Sequence, residues 1–168
     1  MYHRLALSIR SITAIFWLGF FMAISFMEAP LKFTAPGLSM AEGLQIGKII
    51  FKSLNTCEWA FLLILLITCI AKKTSRRGLY LIFAIGAIML VESLWLLPVL
   101  DIHANEIIRG GIVTSHTAHW LYIVLEVIKV PVLLLIGTES GKMLCEERIK
   151  EKLESHGRVD KERLLQNI

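Results

Sequence analysis

Between Ser115 and Gly137 the chain reads SHTAHWLYIVLEVIKVPVLLLIG. This stretch is long and apolar enough to cross a bilayer, yet it carries His116, His119, Glu126 and Lys129. At about 100° per residue, His119, Tyr122, Glu126 and Lys129 fall along one helical stripe. A charged side chain inside a span costs roughly 2.5–3.5 kcal/mol on insertion scales, so it normally faces a protein interior and a partner. A chain organised around this stretch is expected to be a membrane bundle with its charges turned inward.

Three further apolar runs complete that expectation. Ser11 to Met27 carries no charge and predicts a first span over about 11–28. It is longer than the roughly 7–15 residues of a signal-peptide core and lacks a small-x-small site before Glu28, so it is expected to be retained. Gly19 and Ala23 form a small-xxx-small pair that suits close helix packing. Pro30, Pro36 and Gly37 are expected to break the helix. Ser39 followed by Glu42 reads as a capping box that opens the next one. That helix begins amphipathic (GLQIGKIIFKSLN) and becomes apolar from Trp59, giving a second span over about 55–71.

Lys72, Lys73, Arg76 and Arg77 make a basic turn, and a third span follows over about 78–98, with Pro98 expected to kink or end it. A polar link carries Asp101, His103, Asn105, Glu106 and Arg109, with a turn at Gly110-Gly111. The fourth span covers 115–137, where Pro131 predicts a local kink. Residues 139–168 form a charge-rich tail, read as a solvated helix with i,i+4 ion pairs. The fold class expected is therefore all-α: a four-helix transmembrane bundle over 1–138, with an amphipathic stretch before span two and a cytoplasmic C-terminal helix.

Composition agrees with this reading. Of 168 residues, 55% are hydrophobic, and the mean hydropathy of +0.65 lies well outside the range of a soluble domain. The formal net charge of +4 needs no nucleic-acid partner, because the basic residues are sorted by side. Thirteen Lys and Arg fall in the amino end, the second turn and the tail, against four (Lys32, Lys48, Lys52 and Arg109) in the other two links. The positive-inside rule then predicts both termini in the cytoplasm of an inner-membrane protein. Cys57, Cys69 and Cys145 show no metal-type spacing. There is no P-loop, Gly-x-Ser-x-Gly, Cys-x-x-Cys or His-Glu-x-x-His, and Ser115 and His116 point apart on a helix, so no motif names a reaction.

Antiparallel topology brings the ionisable groups to one level. Glu28 ends span one, Glu58 opens span two, and Glu92 lies roughly 9 Å below the outer end of span three. His116, His119 and Glu126 enter from span four. Three readings follow. In the first, His116, His119, Glu58 and Glu92 ligate a metal, or His103, His116 and His119 hold haem, with Glu28, Lys32 and Arg109 at the mouth. In the second, Glu126, Lys129 and Tyr122, with Glu58 and Glu92, form a proton relay or exchange ion pairs during transport. In the third the polar groups are structural: Glu126 pairs with Lys129, Glu28 with Lys32 and Glu106 with Arg109. Trp17, Trp59, Trp95 and Trp120 fit an aromatic belt. If span three continues past Pro98, His103 shares a face with Glu92.

Four stretches carry a resemblance: Met27-Glu28-Ala29-Pro30-Leu31-Lys32-Phe33, Ile46-Gly47-Lys48-Ile49-Ile50-Phe51, Trp95-Leu96-Leu97-Pro98-Val99-Leu100-Asp101, and His119-Trp120-Leu121-Tyr122 with Glu126 and Lys129. In these the chain resembles small four-span bacterial inner-membrane proteins. The resemblance implies a recurring four-helix membrane fold and brings no activity with it. The expected function is binding of a metal, haem or small polar ligand in the outer half of the bundle. The alternatives are an accessory or assembly subunit and a small proton-coupled transporter component. The bilayer is the expected surrounding, with a homo-oligomer or a membrane-complex partner as the expected association.

Overall fold

The structure, a computed structural model, describes the backbone of residues 2–70, 74–112 and 115–166 and the side chains of 3–70, 74–112, 115–154 and 156. Lys72 and Lys73 of the expected basic turn lie outside the described residues, as do the side chains of the tail beyond residue 156. Four helices account for the fold: His3–Thr34 (α1), Met40–Cys69 (α2), Arg76–Ile108 (α3) and Thr117–Gln166 (α4). All four are long and apolar enough to cross a membrane, and no strand occurs among the described residues.

The helices alternate in direction. Arg10 near the start of α1 bonds Thr68 at the end of α2, and Lys48 near the start of α2 bonds Asp101 late in α3. Arg4 in the first turn of α1 pairs with Glu151 far along α4. Around the bundle α1 packs chiefly on α4 and α2, while α3 packs on the same two from the other side. The end holding Thr34, Met40, Ile108 and Thr117 is termed distal here, and the end holding the N-terminus proximal.

Interior positions repeat at three and four residues. They are Leu7, Arg10, Ala14, Trp17 and Phe21 on α1, and Leu54, Glu58, Leu62, Leu65 and Thr68 on α2. On α3 they are Ile82, Ile85, Met89, Glu92 and Leu96, and on α4 Tyr122, Glu126, Lys129, Leu133 and Ile136. That period is the seam of a left-handed bundle. The outward faces carry Phe16, Ile67, Phe83, Leu94 and Val127, all exposed. A soluble bundle sets polar residues there, so this apolar surface is compatible with a membrane-spanning bundle. Close approach of α1 to α4 depends on Gly137, where a Cβ would come within 2.9 Å of both Ile15 Cδ1 and Cγ1. The same approach lets the Ser11 hydroxyl donate to the Gly137 carbonyl at 2.8 Å.

Pro30, expected to break its helix, does not, and Pro98, expected to kink or end its helix, does not end it. α1 passes Pro30 and runs on to Thr34, and α3 passes Pro98 and runs on to Ile108. Each proline is preceded by a π-helical turn, Ala23–Glu28 in α1 and Glu92–Leu96 in α3. The widened turns bond Ala29 N–H to the Ile24 carbonyl and Leu97 N–H to the Glu92 carbonyl. A proline ring clashes with the carbonyl four residues back, and a π turn moves that carbonyl away while adding one residue to the register. The break after α1 falls at residues 35–39, at the expected Pro36 and Gly37, where Gly37 takes a φ of 81°. The extra residue in α3 also moves the inward position to Ala104 and leaves His103, expected on the Glu92 face, half-buried. At Pro131, whose ring is exposed, α4 keeps its helix type.

The amphipathic start of α2 is continuous with its apolar half. The capping box is formed: Ser39 Oγ accepts from Glu42 N–H at 3.3 Å, and the Glu42 carboxylate accepts from Ser39 N–H at 2.8 Å. From there α2 lies along the distal end of α1, with Gly43 under the Phe33 ring and Gly47 under the Lys32 amine. α4 continues unbroken from its span into the charged tail, which returns to the start of α1 through His3–Glu147 at 3.0 Å.

Candidate functional site

Lys129 sits at the centre of the bundle, fully buried, and donates to three carboxylates from three helices. Its Nζ is 2.9 Å from Glu58 Oε1 on α2, 2.9 Å from Glu92 Oε2 on α3 and 3.0 Å from Glu126 Oε1 one turn away on α4. α1 completes the group, since the indole Nε1 of Trp17 donates to the same Glu58 oxygen at 3.0 Å and the Phe21 ring lies under the ammonium at 5.5 Å. Each side chain is where it is because it occupies an inward position of the seven-residue repeat. Only a lysine-length stem on α4 spans the middle of the bundle to reach α2 on the opposite side.

Exposures of 1% for Glu58 and Glu92, 2% for Glu126 and 0% for Lys129 exclude solvent from the cluster. Three carboxylates facing one ammonium leave a formal charge of −2 in a region of low dielectric, where uncompensated charge is costly. Among the described residues, Glu92 Oε1 has no hydrogen-bond partner, and Glu126 has only the Tyr122 phenol besides Lys129. The Tyr122 phenol, itself buried, lies beside Glu126. One oxygen from each carboxylate falls within 4.8 Å of the others, which suits a single ion held by oxygens at about 2.0–2.6 Å.

Glu58, Glu92, Glu126, Lys129 and Tyr122 are thus brought together. Glu28 and Lys32 pair at the distal mouth, 3.4 Å apart, with the lysine side chain only 9% exposed. The histidines do not join the cluster. His116 and His119 are exposed at the start of α4, and His119 stands seven residues, about 10 Å, above Glu126. His103, half-buried on α3 after the register shift, also stands apart from the carboxylates among the described residues. Arg109 is exposed at the end of α3, and no ion pair joins it to Glu106 among the described residues.

Two buried, hydrogen-bonded positions escaped the sequence reading. Trp17, expected in an aromatic belt, is fully buried and bonds Glu58, whereas Trp59, Trp95 and Trp120 are exposed as a belt requires. Its place in the series Leu7, Arg10, Ala14, Trp17, Phe21 was the available signal. Arg10, counted among the basic residues of the amino end, is buried: Nε donates to Thr68 Oγ1 at 3.0 Å, and Nη2 donates to the Thr68 carbonyl at 2.8 Å and to Thr74 Oγ1 at 2.9 Å. Comparison with family models, with curated proteins and with solved structures finds no match to this chain.

Proposed function

We propose that this is a multi-pass inner-membrane protein that binds a hard divalent cation at Glu58, Glu92 and Glu126, with Lys129 as the resident counter-charge. One observation carries the reading: a buried cluster of formal charge −2 retains a carboxylate oxygen, Glu92 Oε1, that no donor among the described residues satisfies, beside a Glu126 carboxylate whose one neutral donor is the Tyr122 phenol. A divalent cation and the Lys129 ammonium together neutralise the three carboxylates, and the cation supplies what the free oxygen lacks. An all-oxygen donor set favours Mg²⁺, Ca²⁺ or Mn²⁺ over metals that prefer imidazole or thiolate. The test is a Mn²⁺ titration of the detergent-purified protein read by electron paramagnetic resonance, with Mg²⁺ and Ca²⁺ as competitors. Wild type is expected to bind one Mn²⁺ per chain, and Glu92→Gln and Glu126→Gln to weaken binding by about tenfold or more, the scale of one lost ligand interaction of about 1.4 kcal/mol. No binding by wild type, or equal binding by both variants, refutes the reading.

A second reading is that of an assembly subunit with a structural polar core, favoured by the three bonds Lys129 already makes. Under it wild type binds no cation, and Glu92→Gln retains its membrane partner. Either reading has the distal end outside and both termini in the cytoplasm, an orientation supported by the thirteen-to-four distribution of Lys and Arg. Reporter fusions at residues 1 and 168 should give cytoplasmic activity, and one inserted near Gly110 should not; the opposite pattern reverses the orientation.

A further inference from the structure

Independently of the cation site, and resting on the membrane placement proposed above, we infer that the proximal cleft between α1 and α4 binds the phosphate of an anionic phospholipid from the cytoplasmic leaflet. Small residues keep the two helices close where the Ser11 hydroxyl meets the Gly137 carbonyl, and a Cβ on Gly141 would stand 3.4 Å from Ser11 Oγ. Further toward the N-terminus of α1 the helices leave a cleft of about 510 Å³. It is lined by Arg4, Leu5 and Ser8 from α1 and by Leu144, Arg148 and Glu151 from α4. That size falls within the roughly 300–1,000 Å³ of clefts that hold small ligands.

The lining selects an anion. Two arginines against one glutamate leave it a formal charge of +1. Arg4 is engaged by Glu151, but Arg148 is exposed and makes no ion pair or hydrogen bond among the described residues. A guanidinium fork matches two phosphate oxygens at once, and Ser8 adds a hydroxyl to the same lining.

Depth selects a lipid over a soluble phosphate. Trp17 marks the level of the carboxylate cluster, through its bond to Glu58, and Lys129 of that cluster is close to the middle of the expected fourth span. Ser8 lies nine residues and Arg4 thirteen residues from Trp17, about 14 and 20 Å along the helix. Half a bilayer measures about 15 Å of hydrocarbon and about 20–22 Å with its headgroups, so the cleft stands in the headgroup layer. Leu5 and Ile12, seven residues apart on one face of α1, are 57% and 68% exposed. They offer an acyl chain an apolar surface leading from the cleft toward the bilayer core. Basic clefts between helices on the cytoplasmic side are places where anionic headgroups bind.

A bound phosphate competes with Glu151 for Arg4, which gives the site a signature that a merely basic surface lacks. Native mass spectrometry of the detergent-purified full chain measures it, by titration with phosphatidylglycerol, with phosphatidylcholine of the same acyl chains and with inorganic phosphate. The variants are Arg148→Gln, Glu151→Gln and Lys142→Gln, all at exposed positions, with Lys142 outside the cleft as the control for one lost charge on α4. Wild type is expected to retain one phosphatidylglycerol per chain about tenfold more tightly than phosphatidylcholine, equivalent to about 1.4 kcal/mol, and Arg148→Gln to lose that preference. Glu151→Gln should bind phosphatidylglycerol about threefold more tightly, the scale of one exposed ion pair released. Lys142→Gln should match wild type. Equal affinity of wild type for the two lipids, equal loss in Arg148→Gln and Lys142→Gln, or weaker binding by Glu151→Gln overturns the site. Displacement of phosphatidylglycerol by equimolar inorganic phosphate would make the ligand a soluble anion and overturns the lipid. Binding in detergent is read whatever the orientation, so reporter fusions that place the termini outside overturn the choice of leaflet alone and separate a failed orientation from a failed cleft.

Discussion

Lys129→Met should destabilise the protein by about 3–5 kcal/mol, the cost of removing one partner from a buried ion pair and leaving the other unpaired. The substitution keeps the volume of the stem, so lost packing contributes little. What remains is three carboxylates, none more than 2% exposed, with their shared cation gone and only neutral donors, Trp17 Nε1 to Glu58 and the Tyr122 phenol beside Glu126, left among the described residues. Thermal or denaturant unfolding in detergent measures the loss. Because the penalty arises from unpaired negative charge, Glu126→Gln in the Lys129→Met background should recover part of it. The pair should therefore couple by roughly 0.5–3 kcal/mol in a double-mutant cycle. If Lys129→Met unfolds at the wild-type midpoint, the three ion pairs contribute nothing to the fold.

The second large effect is expected at the other end of the bundle. Arg10→Met should cost about 2–4 kcal/mol, since hydrogen bonds from a charged donor are worth more than neutral ones and three are lost together. The loss also leaves the Thr68 carbonyl without its α1 donor near the end of α2. Arg10→Lys should recover less than half of the deficit, because an ammonium cannot reproduce the guanidinium fork that serves Thr68 and Thr74 at once. The same unfolding measurement decides this, and full recovery by lysine would show that charge alone, without the fork, holds α1 to α2. Thr68→Val tests the acceptor side and should be milder, because Nη2 keeps its bonds to the Thr68 carbonyl and to Thr74.

These two residues differ in how visible they were in the sequence. Lys129 announced itself, because a charge in an apolar run on the same stripe as Glu126 and Tyr122 has to face inward. Arg10 did not. At the edge of a hydrophobic run it reads as a solvated flank, and only its place three residues after Leu7 and four before Ala14 marks it as interior. Trp17 was missed for a similar reason, since belt tryptophans are the common case in membrane helices. The prolines misled in the opposite direction. A proline signals a lost N–H and a carbonyl clash, but not whether the chain breaks or takes a π turn and continues. At Pro30 and Pro98 it continues, and the added residue places Ala104 inward where His103 was expected.

By itself the sequence determined the local and one-dimensional features. These are four apolar helices, the capping box at Ser39 and Glu42, the inward stripe of α4 and the i,i+4 pairing of Glu28 with Lys32. Each follows from hydropathy and from 3.6-residue periodicity, which act over a few turns of one helix. Tertiary structure alone decided which inward faces meet. Lys129 reaches Glu58 because α4 and α2 face each other across the bundle, and the histidines stay apart because their level lies above the cluster and the π turn displaces His103. Helix order and register are set by packing between segments distant in the chain, and no spacing within one segment encodes them.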